Sequence, residues 1–262
     1  MAKICQLFSG SSGNSTFIGA GDGGILIDAG VSAKRLVAAL SDLGVDPKNI
    51  HGIFLTHEHT DHICGVRVFA GKYNIPVFGP EGTMLAMEQS GILTEKFDAY
   101  IFDMPRLTVG SMTVSSFTTS HDAAASCGYR IELPDGRAVG VCTDLGFVSE
   151  AVRQGLCGCT AVVLESNHDI DMVKTGPYPY HLKERILSRR GHLSNDACAA
   201  ELPSLLQKGT TRFILSHLSK ENNLPMLAKR TALAALRQQG MTENKDFILQ
   251  VATPCDGTPI LL

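Results

Sequence analysis

The strongest constraint on this chain is a run of seven residues, Thr56-His57-Glu58-His59-Thr60-Asp61-His62, which holds three of the nine histidines. It directly follows Gly52-Ile53-Phe54-Leu55, an apolar run with no helical period that is expected to be a buried strand. A loop leaving a strand end can bring imidazole and carboxylate groups to one point. Borderline-soft imidazole with hard carboxylate is a ligand set for zinc, iron or manganese. Protonated imidazoles this close would repel one another, and metal affinity explains how such a cluster can be neutral. A solvated polar loop, or histidines satisfied by core hydrogen bonds, is the weaker reading.

The cluster has the form His-x-His-x-Asp-His, and it resembles the first motif of the metallo-β-lactamase-fold superfamily of binuclear metallohydrolases. Later motifs are closest to the YycJ/WalJ type of small nuclease-like members, and the resemblance runs over residues 9–219. It implies a four-layer αβ/βα sandwich, an α/β (α+β) arrangement of two mixed sheets flanked by helices. Periodicity alone gives only α/β or α+β.

At 262 residues with 44 % apolar residues the chain can bury a large core, and no linker divides it, so a single domain over 1–262 is expected. The net charge of −3 offers no global positive field for nucleic acid or an anionic membrane, so a polyanion would have to be held by a local patch. Eight cysteines form no CxxC pair and mostly sit in apolar segments, which points to free buried thiols. The residues after Met1 form no signal-peptide core, and nowhere do eighteen apolar residues run together. Reduced thiols without an export signal imply a cytoplasmic protein away from membranes.

In chain order, strands are expected at 4–8, 16–18 and 24–28, with a helix from a Ser32 cap to residue 43. The loop Ser9-Gly10-Ser11-Ser12-Gly13-Asn14-Ser15 is equally a plain turn or a phosphate cradle; the resemblance favours phosphate, with Ser9, Ser11, Ser12 and Asn14 as its donors. By resemblance Asp28 is the carboxylate that fixes the tautomer of a ligand histidine. Helices are expected at 62–72 and 81–89, a strand at 75–78, and an antiparallel sheet from 97–102, 107–109 and 112–117. A hairpin through Pro134-Asp135-Gly136 follows, then helices at 147–154, 196–207 and 224–238 and strands at 161–164, 211–215 and 247–252.

The resemblance makes His121 the third imidazole of one metal, Asp144 the carboxylate shared by two metals and His217 the last metal histidine. Asp144 is also readable as a helix cap. Ligand chemistry then gives two divalent cations (Zn, Mn or Fe), one held by His57, His59 and His121 and the other by Asp61, His62 and His217. Cations about 3.5 to 4 Å apart need a bridging anion, lower the pKa of a water between them and clamp a phosphoryl group. Asp61 is a candidate proton acceptor. Glu165 and His192 match the Glu and His that phosphodiesterase members use beside the metals, with His192 as general acid oriented by Glu165.

These positions imply a binuclear phosphodiesterase, and within that class a nuclease, with a DNA exonuclease favoured. A glyoxalase-like thioester or lactone hydrolase uses the same metal positions and is the alternative. The Glu165 and His192 pair, with the phosphate-suited loops 9–15 and 219–223 (Ser219 and Asn222 in the second), tips the balance. A non-catalytic scaffold would be expected to lack some ligands, and none is missing. The clamp that larger nucleases carry between the bridging aspartate and the later histidine motifs is missing between Asp144 and His192, and no insertion resembles the flexible arm of the tRNA-processing enzymes, which leaves Arg185, Arg189 and Arg190 as either backbone contacts or an exposed basic helix.

Overall fold

The computed structural model describes residues 2–21, 23–255 and 257–262. The chain builds two seven-stranded sheets in succession, and each repeats one plan: antiparallel strands first, parallel strands after. In the first sheet β1 (Lys3–Phe8), β2 (Ser15–Ala20) and β3 (Gly23–Ile27) are antiparallel neighbours. Helix α1 (Ala33–Asp42) then crosses to β4 (Ile50–Phe54), parallel to β3. Helices α2 (Thr60–Ile63) and α3 (Val66–Tyr73) lead to β5 (Val77–Gly79), and α4 (Glu81–Gln89) leads to β6 (Ala99–Ile101), both parallel additions.

The second sheet opens with antiparallel β7 (Leu107–Val109), β8 (Met112–Thr118), β9 (Cys127–Glu132) and β10 (Ala138–Cys142). It continues through α5 (Glu150–Leu156), β11 (Ala161–Glu165), α6 (Ile170–Thr175), α7 (Tyr180–Leu187) and α8 (Asn195–Gln207). After these come β12 (Arg212–Ser216), α9 (Pro225–Arg237) and β13 (Ile248–Val251), so that β10, β11, β12 and β13 run parallel. Strand β14 (Ile260–Leu261) returns to pair with β1.

Period-two alternation sorts the side chains into layers. Ile25, Ile27 and Phe54 from the first sheet meet Val139, Val141, Val163 and Ile214 from the second in the central layer. On the opposite faces Leu26, Ile53 and Leu55 pack against Leu36 and Phe69 of the first helices, while Val162, Leu164 and Phe213 pack against Leu202 and Ala232 of the later ones. The result is helix, sheet, sheet, helix, the expected four-layer sandwich. A buried hydrogen bond crosses the central layer, from the Tyr129 hydroxyl on β9 to the carbonyl of Leu55 at 2.6 Å, just before the histidine cluster.

Several local expectations are corrected. The strand near 97–102 joins the first sheet as β6, parallel to β5, because α4 provides the crossover. The helix expected over 62–72 is interrupted at Gly65, where an added Cβ would lie 2.0 Å from the Val31 carbonyl oxygen. Helix α5 starts later than 147, since Ser149 accepts from the Val152 amide as its cap, so Asp144 is not a helix cap. Two helices that were not expected, α6 and α7, stand on either side of Gly176-Pro177-Tyr178-Pro179, and Pro179 stands just before α7, where no intrahelical amide is needed. Five of the eight free cysteines are buried, and Cys64, Cys157 and Cys255 are exposed. Among the described residues no helix is long and apolar enough to cross a membrane.

Candidate metal centre

Each segment carrying a candidate ligand leaves the carboxyl end of a strand: Asp28 after β3, the histidine cluster after β4, His121 after β8, Asp144 after β10, Glu165 on β11 and His217 after β12. That end is where open α/β sheets gather their ligands. At Asp28, Asp144 and His217 the chain turns through the left-handed region, with φ of 62°, 58° and 57°. For a residue with a Cβ this costs roughly 1–2 kcal/mol. Backbone also crowds here: a Cβ on Gly30 would lie 1.7 Å from the Asp61 carbonyl oxygen, so the loops after β3 and β4 touch main chain to main chain.

Six of the nine histidines converge on this rim. His57, His59 and His121 present ring nitrogens within 4.8 Å of one another, and so do the ligand atoms of Asp61, His62 and His217. Asp144 touches both groups, with Oδ2 3.3 Å from His62 Nε2 and Oδ1 3.9 Å from His121 Nε2. Nε2 of His57, His121 and His217 and Oδ2 of Asp144 are buried without any hydrogen-bond partner. Orphaned polar atoms of this kind are rare. Aimed into one space, and drawn from imidazole and carboxylate, they fit divalent metal ions. Glu58, inside the cluster, points elsewhere and accepts from the Ala124 amide at 2.6 Å.

The outer nitrogens are fixed by carboxylates. Asp28 Oδ2 lies 2.8 Å from His62 Nδ1, and Asp28 also accepts from the Thr56 amide and hydroxyl, so Nε2 of His62 is left to face the centre. Burial depresses the His62 pKa, but the charges of Asp28 and Asp144 raise it to about 10. This acidic pocket demands a cation, and a metal ion can take the place of that proton. Burial, with the neighbouring imidazoles, holds His57 well below the ordinary histidine value, and burial lowers His121 as well, which keeps both in the neutral, metal-binding form. Burial raises the Asp61 pKa, yet the neighbouring imidazoles of His217 and His62, 3.7 and 3.5 Å from its Oδ2, outweigh it and hold the carboxyl far below the usual range.

His192 stands at the open edge, its side chain 14 % exposed. Its Nδ1 lies 2.8 Å from Glu165 Oε1, and the same oxygen lies 2.7 Å from His217 Nδ1. The other oxygen, Oε2, accepts from the amides of Leu145 and Leu193. Burial lowers the His192 pKa, and Glu165 more than restores it, so the net shift is upward.

The six expected phosphate contacts separate into two kinds. Ser9 is buried, accepts from the His217 amide at 2.8 Å and bonds Ser216 Oγ. Asn14 is buried too; it accepts from the Gly10 amide, and its Nδ2 lies 3.2 Å from Asp61 Oδ2. Asn222 is fully buried. Ser9 and Asn14 thus hold neighbouring segments of the centre in place, and the side-chain amide of Asn222 has no hydrogen-bond partner among the described residues. Ser11 and Ser12 are exposed, and half-buried Ser219 accepts from the Asn222 amide. Sequence reasoning missed Thr56, which links Asp28 to the histidines, and Asn167, whose Nδ2 donates to the His217 carbonyl at 2.8 Å. Their positions directly before the cluster and two residues after Glu165 were the available signals.

A sandwich of two mixed sheets carrying this histidine and aspartate constellation at its strand ends defines a metal-dependent hydrolase fold. The chain belongs to the metallo-beta-lactamase superfamily, whose family profile matches residues 9–217. It is 37% identical over 261 residues to the exodeoxyribonuclease WalJ of Streptococcus pneumoniae, covering 98% of this chain and 97% of that protein. It is 36% identical over 251 residues to the exodeoxyribonuclease YycJ of Bacillus anthracis, covering 95% and 94%. Among solved structures, the metallo-beta-lactamase fold protein YhfI from Bacillus subtilis superposes with a TM-score of 0.72 at 16% identity, over 99% of this chain and 100% of that one, which speaks to the fold.

Proposed function

We propose that this protein is a metal-dependent exodeoxyribonuclease that hydrolyses phosphodiester bonds at a centre of two divalent cations, Zn, Mn or Fe. The observation that carries the reading is the pairing of orphaned metal-facing atoms with a carboxylate-held histidine at the open edge of the same centre. Near-full-length similarity to two exodeoxyribonucleases supports DNA as the substrate.

The cations would be held by His57, His59 and His121 and by Asp61, His62 and His217, with Asp144 shared. Such cations offset charge on phosphoryl oxygens and acidify water. The chain's own groups do the rest. Asp61, held as an anion, suits cation binding and the orientation of a water's hydrogen bond better than the retention of a proton. Glu165 occupies Nδ1 of His192, so Nε2 is the nitrogen that delivers a proton to the leaving oxygen. The rise in the His192 pKa keeps that proton available near neutrality.

The test is hydrolysis by one metal-quantified preparation of 5′-labelled double- and single-stranded DNA, RNA and S-lactoylglutathione, with Zn and Mn each supplied. Metal-dependent shortening of DNA from an end is the expected outcome. Thioester turnover with intact nucleic acid would make the protein a small-molecule hydrolase instead.

A further inference from the structure

Arg185, on α7, grips Asp122 with two hydrogen bonds, Nε to Oδ2 at 2.5 Å and Nη2 to Oδ1 at 3.1 Å. The same Oδ1 lies 3.3 Å from Nε2 of His121, one of the nitrogens directed at the centre. Only the width of one carboxylate therefore separates this guanidinium from the metal space. The planar fork of arginine fits carboxylate and phosphate alike. Arg185 and Asp122 have side chains 47% and 29% exposed, so an incoming strand can reach both.

The other two arginines of this segment are already committed. Arg190 donates from Nε and Nη2 to the His121 carbonyl, each at 3.3 Å, and Arg189 lies over the Phe147 ring at 4.1 Å from its centroid. They serve as the mount. Ser120 donates to the Arg189 carbonyl at 2.8 Å, and Gly146 lets that carbonyl carbon approach where a Cβ would stand 2.3 Å away. Arg185 alone of the three is paired to an anion that a phosphate can replace.

We propose that Arg185 binds the backbone phosphate next to the one being cut, and that Asp122 is the internal anion that holds its guanidinium ready until nucleic acid displaces it. The inference rests on the nuclease reading and supplies a grip in a chain without an inserted clamp. A thioester or lactone offers no second backbone phosphate for this arginine.

The test uses the metal-loaded protein and a fluorescein-labelled single-stranded phosphorothioate oligonucleotide that resists cleavage, with affinity read by anisotropy over a salt series. Metal content and shortening of ordinary DNA are measured on the same preparations. Arg185→Ala is expected to weaken binding by about tenfold and to reduce the salt slope by about 0.7, the loss of one single-strand phosphate contact. Arg185→Lys is expected to recover part of the affinity, as a point charge without the fork. Asp122→Asn is expected to bind more tightly than the unaltered protein and to keep its metal. If Arg185→Ala fails to fold, Asp122→Asn made in the unaltered and in the Arg185→Lys protein still decides, because a gain that comes from freeing the guanidinium fork is smaller once the fork is replaced, and an equal gain in both would overturn the role of Arg185.

Equal affinity and slope for Arg185→Ala, with DNA still shortened by the unaltered protein, would reduce the pair to a structural ion pair. Loss of metal in Asp122→Asn would make Asp122 a ligand and overturn its role as a stand-in. An unaltered protein that neither binds nor shortens DNA would instead remove the nuclease reading, and this inference with it.

Discussion

Oε1 of Glu165 lies 2.8 Å from Nδ1 of His192, so the carboxylate both fixes the ring's tautomer and sets its proton affinity. The His192 pKa is raised in the fold, so the protonated acid is present below that pKa and is lost as pH rises through it. Glu165→Gln removes the negative charge and lowers the pKa. The alkaline limb of the pH–rate profile should then move toward acid. A limb that stays in place would separate Glu165 from the acid.

Removing the acid altogether tests the same edge differently. His192→Ala should slow the chemical step on DNA about 10²- to 10⁴-fold in single-turnover measurements, while bound metal stays at its original level. Full rate with full metal would show that His192 carries no proton in the reaction.

Asp144 reaches both ligand groups, through Oδ2 to His62 and Oδ1 to His121. Asp144→Ala should lose metal from both positions, measured by elemental analysis after gel filtration. Loss of one metal alone would mean that the two groups do not share this carboxylate.

Asp28 acts through His62. With the 2.8 Å contact to Nδ1 weakened, Asp28→Asn should reduce metal affinity about 10- to 100-fold in a competition titration with a chelator. An unchanged dissociation constant would leave Asp28 with the Thr56 turn as its sole task.

The link between the sheets can be weighed separately. Tyr129→Phe leaves the Leu55 carbonyl in the central layer with only the weak Cys127 thiol contact at 3.8 Å. A loss of about 1–3 kcal/mol in unfolding free energy by chemical denaturation is expected.

Strand ends and the histidine motif were readable because a metal centre concentrates rare residue types at short spacing. The two-sheet sandwich followed from the resemblance those motifs carry, since alternation alone leaves the pairing of β6 undecided between the two sheets. Burial was less readable: Ser9, Asn14 and Asn222 have the composition of a phosphate cradle, and nothing local indicates that His217 and Asp61 would claim the first two. Helix α7 was hidden by Pro177 and Pro179, which mark a boundary in sequence and merely precede a helix in space.

The left-handed turns at Asp28, Asp144 and His217 set foldability against chemistry at three positions. Glycine would relax the backbone at each of them. At Asp28 it would also strip the acceptor from the Thr56 amide and hydroxyl, so the strained turn and the buried hydrogen bonds it carries stand or fall together.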